Sequence, residues 1–180
     1  IQERSCEIED DLFALLANAP HTRLTWNPGG CQIERGITAN NNRLLLSHTD
    51  LLLLNKEEAI GFSGETTWEA AMKSLLSIGA KQVCITDGKR GAYASDGKML
   101  YHCPALTTDV IDTTGAGDAF GTGMTWALLS CLDLPTALRA GTINATSVVS
   151  AIGAQQGLLT DSELRSRLLQ QTLEVSVHPL

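Results

Sequence analysis

No stretch of this 180-residue chain is long and apolar enough to cross a bilayer. Its densest apolar blocks, Leu44 to Leu46 and Leu51 to Leu54, fall far short of the roughly 20 residues that a spanning helix needs. Residues Ile1 to Asp11 are polar and acidic and lack the basic start and apolar run of a secretory signal, so a cytoplasmic location is the default expectation. Basic residues are also scarce. With 13 Lys and Arg against 20 Asp and Glu, the formal net charge of -7 argues against a general polyanion binder, because nucleic-acid affinity comes largely from cations neutralising phosphates. A small phosphorylated ligand at a local site stays open. No C-x-x-C pair occurs among Cys6, Cys31, Cys84, Cys103 and Cys131, which read as reduced, mostly buried thiols. His21, His48, His102 and His178 show no metal-ligand spacing. Internal repeats, low-complexity tracts and linkers are missing too. What is present is 43% hydrophobic content spread in short blocks, enough for one core and hence a single α/β domain over residues 1–180. The chain opens on Ile1 rather than Met, which leads us to expect that something preceding it has been lost or removed.

Ile8, Leu12, Leu15 and Leu16 share one helical face that ends near Pro20. Thr22 to Trp26 reads as a strand closed by the turn Asn27-Pro28-Gly29-Gly30. The unbroken apolar run Leu51 to Leu54 suggests a strand buried on both faces, as in a parallel sheet. Thr66-x-x-Glu69 predicts a capping box for a helix stopped by Gly79. Gln82 to Thr86 is the next strand, and Gly91 to His102 reads as a hairpin around Ser95-Asp96-Gly97. Three helices follow: one opening near Gly117, one from Pro135 to about Ala151, and one capped by Thr160-x-x-Glu163. Strands alternating with helices imply an α/β sheet.

The segment with most chemical content is Asp112-Thr113-Thr114-Gly115-Ala116-Gly117-Asp118-Ala119-Phe120, where small residues stand directly before an amphipathic helix. Small residues leave backbone N–H groups bare, and at a helix start those donors have no internal partner. The aligned peptide dipoles add about half a positive charge there, so an anion should bind. If the anion is a phosphoryl group in transit, Asp118 in the first turn can accept the proton of the attacking hydroxyl. The alternative is that Gly-Ala-Gly only permits tight helix packing and that Asp118 is a favourable first-turn acid. The flanking Asp-Thr-Thr and Asp-Ala-Phe favour the functional reading.

These nine residues resemble the C-terminal signature of the ribokinase-like (PfkB) carbohydrate kinases. The similarity extends through Asn55-Lys56-Glu57-Glu58 after one strand and Thr86-Asp87-Gly88-Lys89-Arg90-Gly91 after another. The resemblance implies a three-layer sandwich with a mostly parallel sheet and helices on both faces. It implies ATP-dependent phosphorylation of a primary hydroxyl on a sugar or related molecule. Asp118 would be the base, and Gly115, Ala116 and Gly117 the anion hole. Asn55 and Glu58 resemble a motif that holds a water and magnesium network beside the ATP phosphates, so Glu58 would meet the metal through water. Thr86 and Gly88 would lie along the phosphates and ribose, and Asn144 falls where members border the adenine pocket. Asp112 and Thr114 resemble a loop that binds a monovalent cation, potassium, with Val148 and Gly153 as weaker candidates.

Read without the other motifs, Asn55-Lys56-Glu57-Glu58 is a helix N-cap followed by first-turn acids. Lys89 and Arg90 suit a solvated turn, and Asn27-Pro28-Gly29 a plain turn that also borders the cleft. Family members carry an N-terminal glycine-rich sugar-binding motif and a β-sheet lid, often used to form homodimers, and no segment before Ile8 supplies either. The 180 residues alone are therefore expected to bind nucleotide weakly and to turn over sugar poorly or not at all. Nucleoside kinases share much of the signature and are the nearest alternative. Hydroxymethylpyrimidine kinases, which tend to place cysteine at the position of Asp118, fit less well. A truncated, non-catalytic nucleotide-binding module is the alternative from another class.

Overall fold

A computed structural model describes residues 12, 14–16, 18 and 21–180. Six strands form one sheet in the order β1-β2-β3-β4-β5-β6: Leu24–Trp26, Thr49–Asn55, Val83–Thr86, Ala92–Ser95, Met99–Cys103 and Ser176–Pro179. The first three run parallel, and each later strand pairs antiparallel with the one before it. The sheet is therefore mixed, where a mostly parallel one was expected. The reason is local: β3 to β5 are joined by short turns, which permit only antiparallel return, whereas β1, β2 and β3 are separated by helices.

Side-chain alternation along each strand divides the core in two. Leu51 and Leu53 of β2 and Cys84 of β3 face helices α5 (Ala116–Leu129), α6 (Leu134–Val149) and α7 (Asp161–Gln170). Leu52 and Leu54 with Val83 and Ile85 face the opposite layer, α2 (Asn40–His48), α3 (Lys56–Ser63) and α4 (Trp68–Ile78). A short α1, Gly30–Arg35, precedes them. Helices thus cover both faces, and the Leu51–Leu54 run is buried on both, as its lack of polar residues implied. Each of these leucines contributes about 1.5–3 kcal/mol by leaving water.

On one face, α5 and α6 cross closely because glycines meet backbone. A Cβ on Gly123 would stand 2.8 Å from the Ala140 carbonyl oxygen, and one on Gly141 2.9 Å from that of Phe120. This crossing holds the start of α5 rigidly against the layer behind it.

Several expectations are displaced by tertiary context. Helix α4 is capped by Thr67, whose hydroxyl accepts from the Ala70 N–H at 3.2 Å, and not by Thr66. The Thr160 and Glu163 capping box of α7 forms as expected. In the first helix, Leu16 is buried but Leu15 is 57% exposed, so the two do not share the inward face; Ile8 lies outside the described residues. Cys84 and Cys103 are buried, whereas Cys31 and Cys131 are exposed, against the expectation of mostly buried thiols; Cys6 lies outside the described residues. Helices α1 and α2 and strand β6 were not anticipated. No helix among the described residues is long and apolar enough to cross a membrane.

Candidate active site

Because β1, β2 and β3 are parallel, their carboxyl ends emerge at one edge of the sheet, the edge where open α/β sheets place ligands. Asn27 follows β1, Asn55 ends β2 and Thr86 ends β3, and all three line one cleft of about 790 Å³. Asn27 is fixed there by its side-chain amide, which donates to the Leu53 carbonyl at 2.7 Å. The start of α5 forms the opposite wall, with Gly115, Ala116, Gly117 and Asp118.

Gly115 is the N-cap of α5 in a left-handed conformation, φ 77°, and offers no side-chain cap. A Cβ at this position would meet the Ala154 Cβ at 2.6 Å and its Cα at 2.9 Å, so both backbone angle and space demand glycine. The Ala116 N–H turns back to the Thr113 carbonyl at 3.2 Å. The next two N–H groups, of Gly117 and Asp118, meet no acceptor among the described residues. Both residues line the cleft, and nothing lies within 4 Å of where a Gly117 Cβ would stand. Asp118 is exposed, and its carboxylate is hydrogen bonded to no described residue.

The loop before α5 is tied down by Asp112. One carboxylate oxygen accepts from the Thr114 N–H at 2.9 Å and the other from the Gly153 N–H at 3.0 Å. These bonds, the one from Thr114 foremost, hold the Asp112 carboxyl below the usual carboxylate range. Each oxygen keeps a second lone pair, so the group closes its loop and still offers a hard anionic donor that fits a monovalent cation. Val148 is fully buried in α6.

Asn55 and Glu58 combine two roles. They form a complete capping box for α3, with the Glu58 N–H on Asn55 Oδ1 and the Asn55 N–H on Glu58 Oε2, both at 2.8 Å. Both also line the cleft, so the capping interpretation and the site interpretation hold together. Among the described residues no group of three His, Cys, Asp or Glu gathers as a metal cluster. Glu58, a cleft-lining carboxylate with one oxygen committed to the Asn55 N–H, fits magnesium, which keeps several waters and takes phosphate oxygens as its remaining ligands.

A second cavity, about 320 Å³ and largely apolar, adjoins the first and is lined by Gly88, Lys89, Leu106, Val110, Ala145 and Val149 among others. Thr86, Thr113, Ala116, Gly117 and Phe120 line both cavities, so the start of α5 stands between them. Asn144, expected at the adenine pocket, lines neither. It is 3% exposed, its Nδ2 donates to the Ala119 carbonyl at 2.8 Å, and its Oδ1 accepts from the Leu159 N–H at 3.1 Å. It is a strut that holds the first turn of α5 to α6. Thr142, Ala145, Thr146 and Val149 of the same helix line the cavity instead.

Sequence reasoning missed Thr122, Thr125, Trp126 and Leu129, which continue the cleft wall along α5. The signal was available: Thr122, Thr125 and Leu129 lie four, seven and eleven residues after Asp118 and so share its helical face. Trp126 is braced from behind, its indole N–H on Asp161 Oδ1 at 2.8 Å and the Arg165 guanidinium 4.9 Å over the ring.

The family model described as pfkB family carbohydrate kinase matches residues 11–161. The chain belongs to that family. The resemblance carried by Asp112 to Phe120 is thereby borne out. Among relatives of this PfkB chain, an ATP-dependent 6-phosphofructokinase from Thermoanaerobacterium thermosaccharolyticum is 34% identical over 61% of this chain and 34% of its own length. A ribokinase from Bacillus subtilis is 32% identical over 68% of this chain and 41% of its own. An E. coli protein described as a ribokinase II, solved with ATP and magnesium, superposes with a TM-score of 0.75 at 21% identity, covering 87% of this chain and 52% of that one. The ribokinase fold is therefore shared, and the chain spans about a third to a half of these proteins' lengths.

Proposed function

We propose that this chain is the nucleotide-binding and catalytic part of a kinase that transfers a phosphoryl group from ATP to a primary hydroxyl of a sugar or related small molecule. The observation that carries this reading is the place of the α5 N-terminus, between an apolar pocket on one side and a polar cleft holding Asp118 on the other. An adenine ring suits the apolar pocket. The phosphates would then extend past Thr86 and Gly88 toward the unpartnered N–H groups of Gly117 and Asp118. The acceptor hydroxyl would enter from the cleft beside the Asp118 carboxylate.

In this arrangement Gly115, Ala116 and Gly117 act as an anion hole. Their part is to aim backbone donors and the helix dipole at the charge spread over the phosphoryl oxygens. Removing one such donor costs about 10²–10³ in turnover in comparable sites. Asp118 orients the hydroxyl and takes its proton; a weak base suffices because the transition state of phosphoryl transfer is loose. Magnesium, when bound with the nucleotide, would neutralise phosphate charge, and Glu58 would meet it through water. Asp112, with Thr114, would hold potassium beside the anion hole.

Comparing Asp118→Asn with wild type in the intact enzyme by an ADP-release assay, over a panel of pentoses, hexoses and nucleosides, tests the reading. Turnover should fall by about 10²–10⁴ with the preferred acceptor. ATP affinity should stay within about twofold, since the loss falls on the transition state. Full turnover in Asp118→Asn would remove that carboxylate from the base role. A preference for nucleosides over free sugars would move the assignment to the nucleoside kinases.

A further inference from the structure

Gly88 and Lys89 reach the wall of the apolar pocket on a single 3-10 turn, Gly88–Arg90, that follows β3. So short an element has almost no stability of its own, so its position is set by what grips it. The Asp87 N–H closes the base of the turn on the Gly91 carbonyl at 2.8 Å, and two side-chain grips are added to it, neither from a residue that lines the cavity.

The first is Asp87, whose side chain is only 10% exposed. Its carboxylate takes the Arg90 guanidinium in a fork, Nε at 2.7 Å and Nη2 at 3.0 Å, and also accepts from Lys56 Nζ at 3.3 Å. Lys56 is the first residue of α3, directly after Asn55, so this carboxylate joins the turn to the helix start that carries Asn55 and Glu58. The second grip is His102 on β5. Its Nε2 lies 2.8 Å from the Arg90 carbonyl oxygen, so Nε2 carries the hydrogen and donates. The ring is held in place by stacking on Tyr93 at 4.5 Å, and Tyr93 stacks on Trp68 at 4.2 Å. Arg90 is therefore held at both ends, by its guanidinium and by its carbonyl.

We propose that Asp87 and His102 are positioning residues that clamp the 88–90 turn against the nucleotide pocket, a role that rests on the nucleotide reading given above. Neither touches the cavity, and each acts through Arg90. Tightening of the turn fixes where Gly88 and Lys89 stand, and therefore how well the pocket holds a nucleotide before any chemistry begins.

Three variants separate the contacts. Asp87→Ala frees Lys56 and Arg90; His102→Phe keeps the ring stack and loses the donor; His102→Gln loses the ring and keeps an amide donor. In the ligand-free protein, amide hydrogen exchange over residues 86–91 should quicken by roughly tenfold in Asp87→Ala and His102→Phe. It should stay within about twofold of wild type in His102→Gln, where the hydrogen bond is kept. In the intact enzyme with magnesium ATP, the first two should raise the nucleotide KM by about five- to tenfold while kcat moves less than about twofold, since the lost contact is uniform to ground and transition states. Unchanged exchange and unchanged KM in Asp87→Ala and His102→Phe would overturn the clamp. Equal losses in His102→Gln and His102→Phe would overturn the hydrogen bond as the positioning contact. An intact wild-type enzyme that binds no ATP would bring down the function proposed above, and the exchange measurement would still decide the clamp.

Discussion

Replacing Gly115 and Gly117 separately by alanine should split folding from chemistry. At Gly115 the backbone is left-handed, which costs a residue with a Cβ about 1–2 kcal/mol. The added methyl would also sit 2.6 Å from the Ala154 Cβ and 2.9 Å from its Cα, inside any real contact distance, so backbone must move; such overpacking costs about 1–3 kcal/mol. Together these put Gly115→Ala about 2–5 kcal/mol below wild type, or about 4–20 °C in Tm for a domain of this size. At Gly117 nothing lies within 4 Å of the new Cβ, and alanine is the better helix former by up to about 1 kcal/mol. Gly117→Ala should melt at or above the wild-type temperature. Its methyl, however, enters the space between the two cavities, where displacing a phosphoryl group by about 1 Å would cost on the order of 10²-fold in turnover. Calorimetry on both variants and an ADP-release assay on Gly117→Ala in the intact enzyme decide the matter. A wild-type Tm for Gly115→Ala would refute the steric reasoning, and wild-type turnover for Gly117→Ala would refute the placement of the anion.

Asn144→Ala should lower stability by about 1–3 kcal/mol, because it takes the acceptor from the Leu159 N–H and the side-chain tie from the Ala119 carbonyl, and denaturant unfolding would register it. If the Asp112 loop holds a cation, potassium should raise ATP affinity or activity above sodium, and identical kinetics in the two salts would exclude it. Asp87, Asp112 and Glu163 all have carboxyls held below their ordinary values, by Arg90, by the Thr114 N–H and by Thr160 respectively. In acid the unfolded chain therefore binds more protons, and the stability these groups contribute is complete above their unfolded values and is lost as pH falls through the folded ones. A Tm that stays flat between pH 5 and pH 3 by scanning calorimetry would contradict this; about 4 is where unfolded carboxylates titrate.

Much of the site was legible before the fold. Asn55, Thr86 and the Gly115 to Asp118 stretch each sit at a local signal, an apolar run that ends in a polar residue or a glycine pair before a helix, and such signals are carried by neighbours in sequence. The misses have physical causes of their own. Strand β6, Ser176–Pro179, is exposed along its length, so it shows no alternation, and it exists because β5 has an edge to pair with. Helix α2 begins Asn-Asn-Asn, poor helix formers, and is held by burial of Leu45 and Leu46. The move from Thr66 to Thr67 as the α4 cap is a choice between adjacent equals that packing makes.

By itself the sequence determined the order of strands β1 to β5 and of helices α4 to α7, the doubly buried β2 strand, and the glycine-rich start of α5, because these depend on contacts or conformations within a few residues. Tertiary structure alone decided that Asn144 supports the helix instead of lining the pocket, that Asn55 and Glu58 cap α3 and face the cleft together, and that Arg90 turns to Asp87 and His102. Each of those outcomes turns on which partner residue, 3 to 25 positions away along the chain, the fold brings within hydrogen-bonding distance. Side-chain amides, carboxylates and guanidinium groups accept many partners, and only the packed chain selects among them.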